Sequence, residues 1–383
     1  VSLSTALDRR LQQDLDARRD ANRLRIPAER PPGTVSFCGN DYLGLADEPA
    51  LRAAVADAAR EDGTGATGSR LVSGSHPAHA RVESELAAWL DAPSALLFPS
   101  GWQANTGLLA ALGREGDVYF SDALNHASLI DGMRMSRARR VVFPHNDVDA
   151  LDDALRRTPC AGHRIVVTEA IFSMDGDAAP LDDLLACCET HDALLVLDEA
   201  HALGVIGPKG AGLAADLHVA DRVAIRLGTG GKSLGAAGGF VVGSETLRTW
   251  MWNHVRSFVY STGVALPVVA ALGAALPLVQ EEARRDALRE RRERLARGLD
   301  LPSPSAAILP LPLGSERHAV EVASQLAAAG WHVQAIRPPT VPTGTSRLRV
   351  TARATHSLAE IDGFCEAYRA LRERRAPPSS EPR

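Results

Sequence analysis

Residues 164–201 read Arg164-Ile-Val-Val-Thr168, then a helical stretch over 182–190, then Ala193-Leu-Leu-Val-Leu197 running into Asp198-Glu-Ala-His201. The two apolar runs show no polar alternation. Each therefore predicts a strand buried on both faces, and the helix between them makes the pair parallel. The same alternation extends toward the N-terminus. Val118-Tyr-Phe120 precedes a helix over 131–137, and Arg140-Val-Val-Phe143 precedes a helix over 147–157. Together they predict an α/β fold around a mainly parallel sheet. Polar groups cluster just past the strand ends, at Asn125-His126, at 169–175 and at Asp198 to His201. That is where such folds place ligands. Further upstream, Ala95-Leu-Leu-Phe98 runs into Pro99-Ser-Gly-Trp-Gln-Ala-Asn-Thr106 and a helix through Ala111. A strand, a glycine turn and a helix start present backbone N–H groups to a phosphate, although an ordinary βα turn fits this piece equally well.

On the C-terminal side, Val223-Ala-Ile-Arg-Leu227 ends in Gly228-Thr-Gly-Gly-Lys-Ser-Leu-Gly235, and Phe240-Val-Val242 leaves it. One lysine, Lys232, sits in a bed of small residues; the only other lysine in the chain is Lys209. Glycines let backbone pass close to a ligand, and a lysine held there is placed to react with a carbonyl. Gly231-Lys232-Ser233 ends like a phosphate loop, but the position that loop needs as glycine is Arg226, and the segment returns to a strand instead of opening a helix. Asp198-Glu-Ala-His201 spells a helicase box, yet here it precedes the Gly-Lys-Ser, the reverse of the order in those motors. Gly63-Thr-Gly-Ala-Thr-Gly68 has a dinucleotide-loop spelling but follows an Ala-rich helix over 51–61, where that motif needs a strand. It predicts a flexible loop near the site. His76 and His79 have no further close Cys or His, so a helix-start role is expected and no metal site.

The 383 residues suffice for a large core and more than one lobe, and the net charge of −5 shows no basic block that would mark a nucleic-acid surface. Five cysteines without C-x-x-C spacing indicate reduced thiols and a cytoplasmic setting. No apolar run is long enough to span a membrane, and no signal-peptide core is expected. Residues 1–45 predict an N-terminal helix and arm, with Leu7, Leu11 and Leu15 at helical spacing for packing on the body or on a partner subunit. Residues 46–285 form the large domain, 286–372 a smaller C-terminal α+β domain, and 373–383 a disordered tail.

Lys232 and Asp198 carry the chemistry when taken together. An imine with an aldehyde cofactor needs a lysine, and a pyridinium ring needs an anion at its nitrogen; this is the pairing pyridoxal phosphate requires. The Gly101-Trp102 turn would hold the phosphate, and His126 would stack on the ring.

Several blocks resemble one family. They are Asn40-Asp-Tyr-Leu-Gly44, Phe98-Pro-Ser-Gly-Trp-Gln-Ala-Asn105, Asn125-His-Ala-Ser128, Thr168-Glu-Ala-Ile-Phe-Ser-Met-Asp-Gly176, Leu197-Asp-Glu-Ala-His-Ala-Leu-Gly204, 228–235, Tyr260-Ser-Thr262 and Ser346-Arg-Leu-Arg-Val-Thr351. In this order they resemble the α-oxoamine synthases, pyridoxal 5'-phosphate enzymes of aspartate-aminotransferase-like fold (fold type I). The resemblance implies a decarboxylative condensation of an amino acid with an acyl thioester, in a homodimer whose sites lie at the subunit interface. Gly235-Ala-Ala-Gly-Gly-Phe-Val241 and the Leu15-Asp-Ala-Arg-Arg19 helix with Arg25 beyond it are most similar to members that use L-alanine and a pimeloyl thioester, on CoA or a carrier protein. Other members use glycine or serine with acetyl, succinyl or palmitoyl thioesters. A cofactor-free binding protein of the same fold is the alternative outside the class.

By matching position, the resemblance makes Lys232 the covalent anchor and base, and Asp198 the partner of the ring nitrogen. His126 would stack on the ring and orient the substrate carboxylate. Ser173 and His201 would contact the cofactor around its phenolic oxygen. Gly101, Trp102 and Thr229 would bind phosphate, with Ser261 or Thr262 reaching the neighbouring subunit's. Arg349 would clamp the alanine carboxylate, and Thr351 and Arg25 would meet the acyl substrate. The family commonly carries tyrosine where this chain has Trp102. Backbone binding of phosphate survives that change, while the acyl channel acquires a different wall.

Overall fold

The computed structural model describes residues 3–27 and 29–373. The expectation for the 373–383 tail falls, beyond Glu373, outside the described residues. The chain divides into two compact units. Among the described residues, one comprises 40–289 with 353–355; the other comprises 3–27, 29–39, 290–352 and 356–373. The strands among the described residues are, in chain order, β1 (Val35–Ser36), β2 (Ser94–Phe98), β3 (Val118–Asp122), β4 (Arg139–Phe143), β5 (Arg164–Glu169), β6 (Ala193–Asp198), β7 (Ile225–Thr229), β8 (Gly239–Gly243), β9 (Ile308–Gly314), β10 (Trp331–His332), β11 (Gln334–Ile336) and β12 (Ser346–Thr351).

The larger unit holds a seven-stranded sheet in the order β2-β8-β7-β6-β5-β3-β4. β4, β3, β5, β6 and β7 run parallel, and β8 is antiparallel to both of its neighbours. The uninterrupted apolar runs have the expected consequence: β2 and β3 are buried at all five positions. β4 closes one edge. Its exposed Arg139 and Arg140 discourage pairing with a further strand. One core cluster joins Phe98, Leu108, Leu109, Leu129, Met133, Val167, Val196, Leu227 and Val241. It seats helices Gly101–Leu112 and Ala127–Met135 beside the strands, which sets where both helices begin. In register, Glu169 at the end of β5 lies beside Asp198 at the end of β6.

The misleading motifs acquire structural reasons. Glu199, next to Asp198, is fully buried and lies 3.8 Å from Arg226, the residue that breaks the phosphate-loop pattern. Burial pushes the Glu199 carboxyl up to about 7, with the Arg226 charge opposing. The Asp-Glu pair is thus one site residue and one buried ion-pair member. The 63–70 segment is held rather than loose. Arg70 forms a buried ion pair with Glu83 at 2.9 Å, Gly263 N donates to Gly68 O at 2.9 Å, and Ser69 bridges Thr262. His76 caps helix Pro77–Trp89, and the His79 ring is bonded to the Val264 carbonyl at 2.8 Å, so both histidines are structural.

A second polar clamp lies behind the strand ends. His145 places Nδ1 3.0 Å from Asp122 and Nε2 2.7 Å from Asp177, and its ring meets Phe172 edge-on at 4.3 Å. It therefore pins the 169–177 turn to the β3 end. Desolvation pulls its pKa down, but the bonds and charges of the two carboxylates outweigh this and raise it to about 10. The cation adds stability in full below about pH 6.5, and the gain fades as pH climbs toward about 10. His145→Gln is expected to cost about 2–3 kcal/mol near pH 6, and less at pH 9. Urea unfolding of both proteins at the two pH values checks this; an equal loss at both would show that the charge contributes nothing.

In the smaller unit β9, β12 and β11 form an antiparallel sheet, and β1 pairs with β10. Phe37 stacks on His356 at 4.2 Å and on Phe364 at 4.4 Å. Helix Leu3–Asp20 leaves Leu7, Leu11 and Leu15 exposed at 53%, 48% and 43%, so its apolar stripe does not pack on the body of the chain. The long helical stretch over 265–299 is two helices, Leu266–Val279 and Glu282–Gly298. Among the described residues no single helix is long and apolar enough to cross a membrane.

Candidate active site

A cleft in the larger unit opens at the strand ends, lined by Gly101, Trp102, Asn105, His126, Ser128, Glu169, Asp198, Ala200, His201, Gly228, Thr229 and Lys232. Seven residues expected from the sequence therefore meet there: Gly101, Trp102, His126, Asp198, His201, Thr229 and Lys232. Lys232 stands on the turn between β7 and β8. Gly230 N donates to Gly238 O, and Ala236 N to Gly230 O, which ties the turn's base. Two glycines show why small residues are needed. A Cβ on Gly235, which has φ 62°, would lie 2.4 Å from Ala46 N, and one on Gly239 would lie 2.5 Å from the Gly101 backbone.

Asp198 is buried, and both of its oxygens are engaged. Oδ1 accepts from Ala200 N at 2.9 Å and Oδ2 from Asn105 Nδ2 at 2.7 Å. Asn105 Nδ2 also donates to Ser128 Oγ at 3.0 Å, and that hydroxyl lies 2.7 Å from His126 Nδ1. A continuous chain thus runs His126–Ser128–Asn105–Asp198. His126 caps helix Ala127–Met135, and its imidazole faces Trp102 edge-on at 6.1 Å. Desolvation, with a smaller push from the Lys232 charge and against the pull of Asp198, holds its pKa below the ordinary value, so the ring is neutral at pH 7. His201 is buried and its Nδ1 lies 2.7 Å from the Tyr42 hydroxyl, which donates to Asn40 Oδ1 at 3.2 Å.

Glu169 is the acid beside Asp198. It is buried, and its Oε1 has no hydrogen-bond partner. Burial, then the neighbouring Asp198 charge, pushes it up to about 8. The environments of two adjacent carboxyls thus differ, which keeps Glu169 protonated at neutral pH. Ser173 is buried and its backbone bonds to Glu169, so it stands behind this acid. Thr262 is not among the cleft residues; it bridges Ser69, and Ser261 Oγ accepts from Gln103 Nε2 at 3.4 Å.

Arg25, Arg349 and Thr351 belong to the smaller unit. Arg25 donates to the Arg337 carbonyl at 3.2 Å and to Thr340 Oγ1 at 2.8 Å. Arg349 is buried on β12 between Gln334 and Pro310. The Thr351 hydroxyl donates to the Gly39 carbonyl at 2.9 Å, which fixes its side chain.

The aminotransferase class I and II model matches residues 32–367. An 8-amino-7-oxononanoate synthase of Anaeromyxobacter dehalogenans (strain 2CP-1) is 50% identical over 343 residues, covering 88% of this chain and 86% of that protein. One from Bordetella petrii is 44% identical over 370 residues, covering 92% and 93%. The chain belongs to the 8-amino-7-oxononanoate synthase family. A serine palmitoyltransferase from S. paucimobilis with bound PLP has the same fold, at TM-score 0.89 and 28% identity, covering 97% of this chain and all of that one. The sheet order and this likeness bear out the aspartate-aminotransferase-like fold class.

The family implies pyridoxal phosphate, and the cleft fits it on its own evidence. Helix Gly101–Leu112 starts at the cleft, and its first N–H groups have no acceptor within the helix. A Cβ on Gly101 would lie 3.3 Å from Thr229 Oγ1, so the missing side chain leaves room for a phosphate between helix start and hydroxyl. Asp198 supplies an anion for a ring nitrogen, and Lys232 the amine.

Asn105, Ser128, Glu169 and Tyr42 line or brace the site but were not assigned roles from the sequence. Asn105 has a readable signal: it lies one helical turn past Gly101, on the face that looks at the strand ends. Glu169 lies in the polar cluster after β5, but only the β5–β6 register shows it beside Asp198. Asn105→Ala is expected to cost about 1–3 kcal/mol in urea unfolding, because it strips two partners inside the site. The variant should also hold cofactor more weakly, read from absorbance during dialysis. Wild-type values for both would show that the Asn105 bridge is idle.

Proposed function

We propose that this chain condenses L-alanine with a pimeloyl thioester, releasing carbon dioxide and free thiol and giving 8-amino-7-oxononanoate. The observation that carries the reading is the meeting of Lys232, Asp198, His126 and the Gly101 helix start in one cleft, in a chain half identical to enzymes of that name. When bound, pyridoxal phosphate supplies a sink for the electron pair released at the amino acid's α-carbon. The Gly101 and Trp102 amides and Thr229 hold the phosphate. Asp198, braced by Asn105 and the Ala200 amide, keeps a proton on the ring nitrogen. Neutral His126 would pack against the ring and orient the alanine carboxylate. His201, held by Tyr42, and Ser173 face the phenolic oxygen. Lys232 would anchor the cofactor through its amine and, once the alanine amine has taken its place and freed it, would accept the α-proton. Arg349 clamps the alanine carboxylate, and Thr351 and Arg25 meet the acyl substrate. The working form is a homodimer in the cytoplasm, with Thr262 reaching the neighbouring site. The exposed Leu7-Leu11-Leu15 stripe supports association of this kind.

The test is turnover of L-alanine, glycine and L-serine against pimeloyl, acetyl, succinyl and palmitoyl thioesters, on CoA and on a carrier protein. Release of thiol with alanine and a pimeloyl thioester is expected. Turnover only with glycine, or only serine with palmitoyl-CoA, would replace the proposed substrates.

A further inference from the structure

A group of potential metal ligands lies outside the cleft. Cys187 on helix Leu181–Thr190 and His191, which ends that helix, are four residues apart. That spacing puts both side chains on one face, a turn apart. Helix Val148–Arg157 packs alongside and brings Asp152 to the same point. His191 Nε2 lies 2.6 Å from Asp152 Oδ1, and the sulfur, nitrogen and oxygen donors of the three residues all lie within 4.8 Å of one another.

We propose that Cys187, His191 and Asp152 form a binding site for a zinc-class divalent cation, with water in the fourth position. Zinc takes sulfur at about 2.3 Å and nitrogen or oxygen at about 2.0–2.2 Å, so donors around one ion lie roughly 3–4 Å apart. The observed donors, all within 4.8 Å of one another, are close to that size. The donor types choose the metal. One thiolate, one imidazole and one carboxylate suit zinc and its tetrahedral relatives, whereas magnesium and calcium want oxygen alone. An isolated His191–Asp152 contact would be an ordinary surface pair. The thiol one turn back is what adds metal character, and it is buried beside them.

On binding, Cys187 gives up its thiol proton to solvent, the His191 ring carries its proton on Nδ1 instead of Nε2, and the cation takes the place of the Nε2–H···Asp152 hydrogen bond. Arg156 also pairs with Asp152 and competes for it. Because binding releases the thiol proton, affinity should rise with pH. Bound metal would join helices Val148–Arg157 and Leu181–Thr190, a tie independent of the cleft chemistry.

Cobalt(II) is the probe, added to chelator-treated holoenzyme, with Cys187→Ser as the optical reference so that cofactor absorbance cancels. The expected result is a thiolate-to-cobalt charge-transfer band with tetrahedral d–d bands, saturating at one equivalent and displaced by zinc. The band should be absent in Cys187→Ser. Its affinity should fall at least about tenfold in His191→Ala and Asp152→Asn, the least that loss of even an outer partner costs such a site. Lack of a band in the parent protein overturns the proposal, and so does one that persists in Cys187→Ser, which half-buried Cys160 or Cys38 would then explain. Should Cys187→Ser fail to fold, by circular dichroism, His191→Ala decides: undiminished affinity there also overturns the site.

Discussion

Lys232→Ala is expected to abolish the visible absorbance of the purified protein and to lower kcat by about a thousandfold or more. Two losses combine. The covalent attachment point disappears, and so does the amine that takes the α-proton. The turn itself should survive, because its base is held by backbone bonds between Gly230, Gly238 and Ala236. Folding should therefore stay near wild type, which separates chemistry from stability. Lys209, the only other lysine, is no substitute: it lies on the 3-10 turn Pro208–Gly210, and its carbonyl accepts from the Trp89 indole at 3.0 Å. A variant that keeps its colour and its rate would place the reactive amine elsewhere.

Asp198→Asn is expected to reduce kcat by roughly a hundred- to thousandfold while cofactor still binds. An amide matches the carboxylate in size but cannot hold a proton on a ring nitrogen. It also turns an acceptor-only group into a partial donor, so either the Asn105 amide or the Ala200 N–H loses its acceptor. Glu169 should respond as well. Removing the Asp198 charge takes away one cause of its raised pKa, so its titration should move down from about 8. The checks are steady-state kinetics with the alanine and pimeloyl pair, and the pH dependence of the bound-cofactor spectrum. Unchanged kcat would remove Asp198 from the chemistry.

Much of the larger unit is legible because strands buried on both faces leave an unmistakable pattern. The runs at 95–98, 118–120, 164–168, 193–197 and 240–242 all lie within observed strands, with ends extended by a residue or two. Lys232 and Asp198 are legible because few residue types can do their work, and both lie at strand ends. What hides is what depends on register or on neighbours. Glu169 becomes a site acid only because β5 and β6 align it with Asp198. Tyr42 braces His201 from 159 residues away, a bond no local spacing announces. Helix Glu245–His254 was not read, since its Trp, Thr and Asn are weak helix formers; Ser244 supplies the cap that starts it. The 63–70 loop looked flexible because glycines dominate it, whereas the Arg70–Glu83 ion pair and the Gly263 bond hold it.

One lysine, Lys232, is expected to form the bond to the cofactor. Borohydride reduction of the purified protein, proteolysis and mass spectrometry test it directly. A pyridoxyl mass increment on the peptide containing Lys232, and none on the peptide containing Lys209, is predicted. An increment on Lys209, or none at all after incubation with pyridoxal phosphate, would contradict the account.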